Sequence, residues 1–484
     1  MTTLDKLANA FNVVCLKYYV ASVQHNLRTV GNHSEVQRTA DTTCIQAAAA
    51  QIASAARQHA GYLYDRILDP TLLEAMAKLP VAKAIGKAHK VPWAMRFLAA
   101  SNDTGLTGAA EWCTCLLRAL QPALEAQWRG LWKAFPQQAL QFAGISQDDP
   151  MPWFINSTAQ LVSMVAAFSH SGMSQGDFDE GGGFEALDVE KLYDMILSDD
   201  LVTDMHSCVR TAWQWYRAGQ PTEMPPDPPA GQQGAPVDVD LDGYLVVYAD
   251  KSIPAEFIAG GRSAVRKRFG TPHPQRNQGA GMWNHHLGKD KKKGRFCVFS
   301  FATACQLVEL IVRTSYVRFG EAAFHQTTGI PMGVNPGVYL ANFYLYQSEF
   351  RFFRQFHDLF TRFPPALCSP EGAFPDSAAT QYIDCEDEQH VLGQATPGQI
   401  GDAALSVLYW FRFVVRFVDD VVTGPNKYLN RLVHVTDSVL GGLIKGIYPV
   451  YLNLKASKPA DAAVPPHAAL RCNALDVTIV SRPV

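Results

Sequence analysis

Residues 411–424 follow an alternating pattern of apolar and other residues that predicts a β-hairpin. In the first half of this segment the alternation sets Phe411, Phe413, Val415 and Phe417 against Arg412, Val414, Arg416 and Val418. Period-two alternation of aromatic and β-branched residues is typical of a strand, here with one apolar face and one face that carries arginines. A second short run, residues 421–423, follows directly. The simplest structure is therefore a hairpin whose tip is formed by Asp419 and Asp420.

Hydrophobic periodicity elsewhere predicts a chain that mixes helices with strands. Helices are expected over residues 7–20, 116–131, 192–215, 301–319, 338–353 and 429–447. Strands are expected over residues 184–188 and 244–248, and the first of them ends at Asp188. The aromatic stripe of the 338–353 helix is interpreted as core packing rather than as a cofactor site.

Two segments have the composition of surface insertions. Residues 218–238 are rich in proline and glycine, and residues 364–403 contain seven acidic residues without a lysine or arginine. Such compositions favour extended or mobile loops over packed elements. We therefore predict insertions at both places.

The overall composition permits a large globular protein. Of its 484 residues 48% are hydrophobic, which is enough to bury a core in two or more subdomains. No segment reaches the roughly 20 apolar residues that span a bilayer, and the N-terminal residues lack the pattern of a secretion signal. The ten cysteines lack paired metal-ligand spacing and are expected to be reduced. We therefore expect an intracellular protein, in the nucleus or the cytoplasm, that does not bind a membrane.

Charge is distributed unevenly, although the formal net charge is only −3. Residues 251–295 carry eleven lysines and arginines against two acidic residues. A basic run is more often a solvated loop than a binding groove. It is nevertheless the strongest supply of phosphate-neutralising charge in the chain, and Phe269 and Trp283 lie within it as aromatic residues on which bases can stack.

The adjacent carboxylates of Asp419 and Asp420 are the strongest candidate for catalytic chemistry. The structural alternative is ordinary turn chemistry, in which aspartate is common. Two like charges repel each other, and a hard divalent cation such as Mg²⁺ offsets this repulsion. A two-metal site for phosphoryl transfer needs a further carboxylate from elsewhere in the chain. Asp188 is the candidate for that third position.

Three motifs of the sequence resemble the palm motifs of reverse transcriptases. Residues 417–420, Phe-Val-Asp-Asp, resemble the third motif, which is an aromatic residue, any residue and two aspartates. Residues 326–333, with Leu-Ala-Asn-Phe-Tyr-Leu at 340–345, resemble the second motif of a eukaryotic retroelement group that includes Penelope-like elements and is allied to telomerase. Residues 188–193 keep the Asp, Leu and Tyr of that group's first motif but differ at 189–191, and the proline of residues 334–338 comes two positions early.

The resemblance implies a two-metal polymerase site. Asp188 and Asp419 would bridge two Mg²⁺ ions, which Mn²⁺ can replace, and Asp420 would be a supporting ligand. The backbone carbonyl of Val189 would also face the metal. Lys455 is implied as a general acid to the leaving pyrophosphate.

The resemblance also implies a set of nucleotide-binding residues. Lys87, Lys90 and Arg96 would lie at the fingers strands and place positive charge over the triphosphate of the incoming nucleotide. Tyr193 occupies the position of a steric gate against the ribose 2′-hydroxyl, although a core tyrosine is an equal alternative.

Gln326 and Gly333 belong to the loop of the second motif. In that loop Gly329 and Gly333 would let the backbone approach the nascent base pair closely.

The implied fold is α+β, with the fingers and palm of a right-hand polymerase, an antiparallel palm sheet packed on helices, and no thumb. The predicted division is an N-terminal helical region (1–80), fingers with connecting helices (81–183) and a palm (184–484) that contains the two insertions. The implied activity is that of an RNA-directed DNA polymerase, which adds dNTPs to a primer 3′-hydroxyl. Its partners would be an RNA template, a DNA primer and dNTPs, and the oligomeric state is left open.

Two other hypotheses stay open. A degenerate or domesticated copy would bind RNA without polymerising, and the departures in the first two motifs favour it. A metal-dependent nuclease would use the same three carboxylates.

Overall fold

The computed structural model shows a mixed α+β protein and describes most, but not all, of the chain. The described residues are 2–3, 11–12, 16–30, 33–37, 43–60, 79–87, 94–100, 104, 106–137, 158–170, 184–224, 242–269, 287–290, 293–330, 335–366, 381–456, 470–474 and 477–481. Within these ranges the helices are α1 Leu16–His25, α2 Cys44–Ala60, α3 Thr107–Lys133, α4 Thr158–His170, α5 Leu192–Met195, α6 Ser198–Arg217, α7 Arg262–Phe269, α8 Phe301–Arg313, α9 Gly337–Arg362, α10 Glu388–Gln394 and α11 Pro397–Trp410. None of the helices in this described part is long and apolar enough to cross a membrane.

The strands of the described ranges are mostly short. They are β1 Thr2–Thr3, β2 Phe11–Asn12, β3 His33–Glu35, β4 Val81–Lys87, β5 Ala94–Ala100, β6 Glu185–Glu190, β7 Tyr244–Tyr248, β8 Glu256–Ile258, β9 Leu287–Asp290, β10 Gly294–Ser300, β11 Tyr316–Phe319, β12 Ala322–Gln326, β13 Val414–Phe417, β14 Asp420–Thr423, β15 Ser438–Val439, β16 Ile444–Lys445, β17 Asn453–Ala456, β18 Leu470–Ala474 and β19 Val477–Ser481. The predicted strand at 244–248 is confirmed as β7, and α9 confirms the predicted helix at 338–353 and extends it to Arg362.

The chain forms two compact units, each assembled from segments that are distant in sequence. The first contains Met1–Ala123, Tyr193–Gln220 and Asp238–Phe343. The second contains Leu124–Leu192, Pro221–Val237 and Tyr344–Val484.

The first unit contains two antiparallel-rich sheets. One has the strand order β3-β12-β11-β4-β5, in which only the β11–β4 pair is parallel. Val23 of α1 and Leu27 of the π-helical turn that follows it, Asn26–Val30, pack on this sheet. The other has the order β8-β7-β10-β9, and α7 packs on it through Val265. Val246 of β7 and Val298 of β10, the two central strands of that sheet, pack in one cluster with Val265 and are fully buried.

The second unit is built around a four-stranded antiparallel sheet with the order β13-β14-β6-β17. Leu161 of α4 packs on one face of this sheet, together with Phe413, Val415 and Val422. The predicted alternation is realised in its second half: Phe413, Val415 and Phe417 face α4, and Arg416 lies on the other face. The strand begins only at Val414, and Phe411 packs against Phe352 of α9.

Aromatic side chains of α9 form a further part of the core of this unit. Trp128 of α3 packs against Tyr346, Phe350 and Phe353 with ring centroids 5.3–6.4 Å apart. Offset and edge-on arrangements of this kind add to the stabilisation from burial. The predicted interpretation of this stripe as core packing is confirmed.

Several predicted boundaries are wrong. The hairpin tip is formed by Val418 and Asp419, and Asp420 is already the first residue of β14. The strand β6 continues two residues beyond Asp188, and the predicted helix at 301–319 ends at Arg313, after which the chain turns into β11. The predicted helix at 192–215 is divided into α5 and α6.

Two predicted segments have a different structure from the one expected. Within residues 364–403, the part from 381 onward contains α10 and the start of α11, with Val391 and Ile400 buried, so this part is packed and is not a mobile insertion. Residues 429–447 form two 3₁₀ turns and the β15–β16 pair instead of a helix. The insertion at 218–238 lies mainly outside the described residues. Half of the 7–20 segment is described: α1 begins at Leu16, but Phe11–Asn12 form β2, so the prediction of one helix from residue 7 is wrong.

Candidate functional site

The sheet of the second unit brings the predicted aspartates together. In the β14–β6 pair Asp420 lies directly opposite Asp188, and the backbone N–H of Val189 donates a hydrogen bond to the carbonyl oxygen of Asp419 at 2.8 Å. Directly opposite residues of an antiparallel pair project to the same face, with their Cβ atoms about 4.5–5.5 Å apart. Two carboxylates that are 232 positions apart in sequence therefore stand side by side on one face of the sheet.

Lys455 belongs to the same lateral row. It lies opposite Asp188 on β17, so the row across three strands reads Asp420, Asp188, Lys455. The side chain of Lys455 is 68% exposed, and its Nζ lies 3.9 Å from Oε1 of Glu190. The row is thus two carboxylates followed by one ammonium group.

The carboxylate row lies at the end of an apolar face. Phe417 is the cross-strand partner of Asp420, and Ala186 and Val422 come two residues from Asp188 and Asp420 on the same face, packed with the α4 cluster. Asp188, Asp419 and Asp420 are all partly exposed. The apolar cluster supports the sheet on one side of the row, and the three aspartates are partly exposed to solvent.

The β13–β14 turn has an unusual backbone conformation. Val418 has φ = 56°, in the left-handed region. For a β-branched residue this conformation is a genuine outlier. Its backbone strain costs on the order of 1–3 kcal/mol, which the surrounding structure must offset. The strain lies directly beside Asp419 and Asp420.

A buried ion pair lies behind this turn. Arg416, on the face opposite to Asp420, donates to both carboxylate oxygens of Glu349 on α9, with Nε–Oε1 at 2.5 Å and Nη2–Oε2 at 3.1 Å. Its Nη1 donates to the carbonyl oxygen of Val418 at 2.9 Å. Both side chains are completely inaccessible to solvent. Tyr448 also donates its hydroxyl to Glu349 Oε1, at 3.0 Å.

Electrostatics favour the charged form of this pair. Burial alone would lower the pKa of Arg416, but the charge and hydrogen bonds of Glu349, with Tyr448 and Asp419, raise it above its ordinary value. Burial, followed by the charge of Glu349, raises the pKa of Tyr448. Arg416 thus keeps its positive charge, and Tyr448 is neutral, throughout the physiological range.

The donor set at the carboxylate row fits a hard divalent cation. Mg²⁺ binds through one or two protein carboxylates and completes its shell with water and phosphate oxygens, and Asp188 and Asp420 supply two carboxylates on adjacent strands. In the part of the chain that the structure describes, no group of three or more His, Cys, Asp or Glu side chains is arranged to hold a metal ion. The fit therefore rests on two opposed carboxylates and does not amount to a closed protein cage.

The loop of the second motif packs against the segment that follows β6. The N–H of Gly329 donates to the carbonyl oxygen of Ile196 at 2.6 Å, and the N–H of Ile330 donates to that of Tyr193 at 2.7 Å. Gln326 is buried, and its amide oxygen accepts a hydrogen bond from Ser315 at 2.8 Å. Tyr193 and Gln326, both predicted to bind nucleotide, therefore belong to one hydrogen-bonded assembly within the first unit.

The other predicted nucleotide-binding residues are only partly described. Lys87 is the last residue of β4 and lies opposite Ala94, and Arg96 lies in β5 opposite Ile85. These two residues are thus carried by one antiparallel hairpin, as the resemblance implies for the fingers strands. Lys90 and Gly333 lie outside the described residues.

Part of the basic block forms an exposed surface on the first unit. Arg266 and Lys267 in the last turn of α7 are exposed, and Lys251 is exposed at the end of β7. Arg268 and Lys293 contact Glu256, which leaves them less available to a ligand. The available positive charge therefore lies mainly on α7 and the adjoining turn.

Glu349 and its ion pair were missed by the sequence analysis. A signal was present, because the residues one helical turn before and after Glu349, which share its face of the helix, are all apolar: Leu345, Tyr346, Phe352 and Phe353. A buried acid in such a setting requires a buried cation. The arginine positions of the 411–418 alternation were the candidates.

The fold and the site together define a mixed α+β protein with a paired-carboxylate site on an antiparallel sheet. No protein-family model and no curated protein matches the chain.

Proposed function

We propose that the chain is the fingers and palm of a reverse transcriptase, an RNA-directed DNA polymerase of the retroelement type. The observation that carries the proposal is the register of β6 and β14, which sets Asp188 opposite Asp420 with Asp419 joined to the same strand through its carbonyl oxygen. These aspartates come from the two motifs in which a palm of this kind holds its carboxylates. The order of the motifs along the chain and the β4–β5 hairpin with Lys87 and Arg96 add support.

The proposed reaction is attack of a primer 3′-hydroxyl on the α-phosphate of a dNTP opposite an RNA template. Asp188, Asp419 and Asp420 would hold Mg²⁺, which when bound supplies Lewis-acid activation of the hydroxyl and charge stabilisation at the pyrophosphate. Lys455, in the same row, would stabilise or protonate the leaving pyrophosphate through its ammonium group. The strained turn and its buried support would keep the carboxylates in a fixed geometry, which limits the reorganisation needed during reaction.

Binding of the nucleic acid would depend on the basic surface of α7 and the turn after β7. Neutralising phosphates releases counterions, so the logarithm of the affinity for a single strand falls with the logarithm of salt concentration by about 0.7 per contact. Arg266→Ala with Lys267→Ala should therefore weaken RNA binding and lower the salt slope by roughly 1.4. Lys17→Ala with Lys445→Ala, which removes two exposed lysines elsewhere, is the matched control and should leave the slope unchanged.

Primer extension on an RNA template with Mg²⁺ and dNTPs tests the activity. Asp188→Asn and Asp420→Asn should each lower the rate by about 10²–10³-fold or more, because the metal contributes several kcal/mol of transition-state stabilisation. Asp384→Asn is the matched control: Asp384 is an exposed aspartate of the same unit, paired with Arg431 at 2.6 Å. Exposed pairs of this kind contribute little, so this variant should extend primers at the wild-type rate. Equal extension by all four proteins would refute the proposal.

A second candidate function is RNA binding without polymerisation. It is favoured by the lack, among the described residues, of a cluster of three potential metal-binding side chains. In that case no extension would be seen with either Mg²⁺ or Mn²⁺, while the Arg266 and Lys267 substitutions would still reduce the salt dependence of RNA binding.

A further inference from the structure

We propose that Arg416 and Glu349 are positioning residues, which hold the Val418–Asp419 turn in its strained conformation and so set the position of the site carboxylates. The inference deepens the proposed function and rests on it for the role of the aspartates. The positioning itself is a property of the fold and can be measured without any activity.

The geometry supports action through the backbone. Arg416 lies on the sheet face opposite to Asp420, and its contact with the turn is the hydrogen bond from Nη1 to the carbonyl oxygen of Val418. Its remaining donors are fixed by the bidentate contact with Glu349, which the rigid, aromatic-packed α9 carries. The planar guanidinium can satisfy both partners at once, because its donors form a preorganised fork.

The complete burial of the Arg416–Glu349 pair is consistent with a role other than stabilising the fold. A buried ion pair can often be replaced by neutral residues of similar size without loss of stability. The pair is nonetheless present, at 0% exposure, directly behind the one residue of the hairpin with a positive φ. A turn without this donor would relax, because nothing else in the described contacts of the Val418 carbonyl compensates for the strain of a β-branched residue in the left-handed region.

The consequences of the turn conformation extend to β6. The carbonyl oxygen of Asp419 accepts the hydrogen bond from the Val189 N–H at 2.8 Å, and Val189 is adjacent to Asp188. Relaxation of the turn would therefore loosen the connection between the two carboxylate-bearing strands at the point where the carboxylates stand. The exchange of backbone amides in β6 and in the hairpin reports this loosening directly.

Hydrogen exchange read by mass spectrometry on the full chain is the test. In the neutral double variant R416M/E349Q the glutamine still offers Tyr448 an acceptor, but the donor to Val418 is lost. We expect exchange in peptides covering 185–190 and 414–423 to rise by about tenfold or more, as follows from losing a hydrogen bond from a charged donor. Peptides from α3 and α6, which contain neither substitution, should exchange as in the wild type, and the melting temperature should show that the protein is folded.

Adding Val418→Gly to the double variant distinguishes a role in holding the turn from a general contribution to the stability of the fold. Glycine adopts a positive φ without steric cost, so R416M/E349Q/V418G should recover most of the lost protection in the two segments. Tyr448→Phe is the matched control, because it removes a hydrogen bond to Glu349 but leaves the bond from Arg416 to Val418; it should not increase exchange in the hairpin. Unchanged exchange in R416M/E349Q, or a uniform increase that V418G does not reverse, would overturn the proposal.

R416K provides a second route if the neutral pair does not fold. Lysine keeps the charge opposite Glu349 but cannot also reach the carbonyl of Val418, so the same local increase in exchange is expected. If neither variant folds, recovery of folding on addition of V418G would support the proposal, and failure to recover would overturn it. Primer extension is read in parallel: an inactive wild type with the expected exchange pattern would refute the proposed function while leaving the positioning role intact.

Discussion

Gly329 occupies a position that no other residue can take without displacing its neighbours. Its φ is +91°, and a Cβ placed there would lie 2.3 Å from the carbonyl oxygen of Tyr193 and 2.8 Å from Nε2 of Gln326. From the sequence, the glycines of this loop are predicted to let the backbone approach a base pair closely. In the structure, a glycine is required at position 329 because the loop contacts the segment after β6 closely.

Gly329→Ala should therefore lower the free energy of unfolding by about 1–3 kcal/mol, from backbone strain together with the forced shift of Tyr193. Urea denaturation followed by far-UV circular dichroism measures the change. Gly393→Ala is the matched control, because Gly393 lies within α10 and a Cβ there meets nothing within 4 Å. That substitution should leave stability unchanged or raise it by up to about 1 kcal/mol. A loss at Gly329 no larger than at Gly393 would contradict the argument.

The sequence indicated which residues lie together in the carboxylate row, but it did not indicate which side chains support them from behind. Asp188, Asp420 and Lys455 were selected from motifs, and the structure places them in one row. Arg416 was recognised only as a member of the polar face of a strand. Its burial depends on Glu349, 67 positions away on another element, and no local pattern contains that pairing.

At the scale of elements, the acidic segment before β13 shows how composition can mislead. Residues 364–403 were expected to form an insertion because they are acidic and contain proline and glycine. Pro397 instead occupies the first turn of α11, where a backbone N–H would have no hydrogen-bond partner within the helix in any case. Thr396 accepts a hydrogen bond from the N–H of Gln399, and Gln399 Oε1 accepts one from the N–H of Thr396, which is a complete capping box. The Thr-Pro-Gly-Gln sequence was a helix-start signal that outweighs composition.

Thr396→Ala should lower the free energy of unfolding by roughly 1 kcal/mol, because it removes the hydroxyl oxygen that accepts the hydrogen bond from the N–H of Gln399 at the start of α11. Thr396→Ser, which keeps the side-chain oxygen, should retain most of the stability. Chemical denaturation of the three proteins gives the comparison. If Thr396→Ala matched the wild type, α11 would not be coupled to the folded core.

Residues 429–447 illustrate the opposite error. Their apolar spacing predicted a helix, but Leu440, Gly441 and Gly442 all have positive φ, which no right-handed helix accommodates. A Cβ at Gly441 would lie 2.8 Å from the Cα of Glu388 at the start of α10. The backbone therefore turns to pass α10 closely, and that packing overrides the periodicity.

At the scale of the whole molecule, most of the thiols whose side chains the structure describes are buried. Seven such cysteines are free thiols, of which Cys113, Cys208, Cys297 and Cys305 are buried and Cys44, Cys115 and Cys385 are half-buried. Burial raises the pKa of Cys305 to about 12, from an ordinary value of 9.0, with opposite and smaller contributions from Arg210 and Glu309. Burial likewise raises the pKa of Cys113. The folded protein therefore keeps protons that the unfolded chain releases at alkaline pH.

This difference predicts a loss of stability as pH rises. Between the ordinary pKa and the raised one, the unfolded state binds fewer protons, so the free energy of unfolding falls by up to about 1.4 kcal/mol per pH unit for each such thiol. The contribution of Cys305 is complete below about pH 9 and is lost towards pH 12. Denaturation at a series of pH values should show a shallower alkaline slope in Cys305→Ala than in the wild type. Cys385→Ala, at a half-buried position, is the control. Equal alkaline slopes of the free energy of unfolding in the two variants would show that the Cys305 thiol is not the cause of the loss.

The sequence alone determined the strand β7, the aromatic stripe of α9 and the apolar face of the central hairpin. Each of these depends on the identity and spacing of residues within one short segment. Only the tertiary structure decided that Asp420 rather than Asp419 stands opposite Asp188, and that Arg416 meets Glu349 behind a strained turn. Strand register and buried ion pairs arise from contacts between distant segments, and a shift of one residue moves every side chain to the other face of the sheet. Their energies are therefore set by packing that no single segment contains.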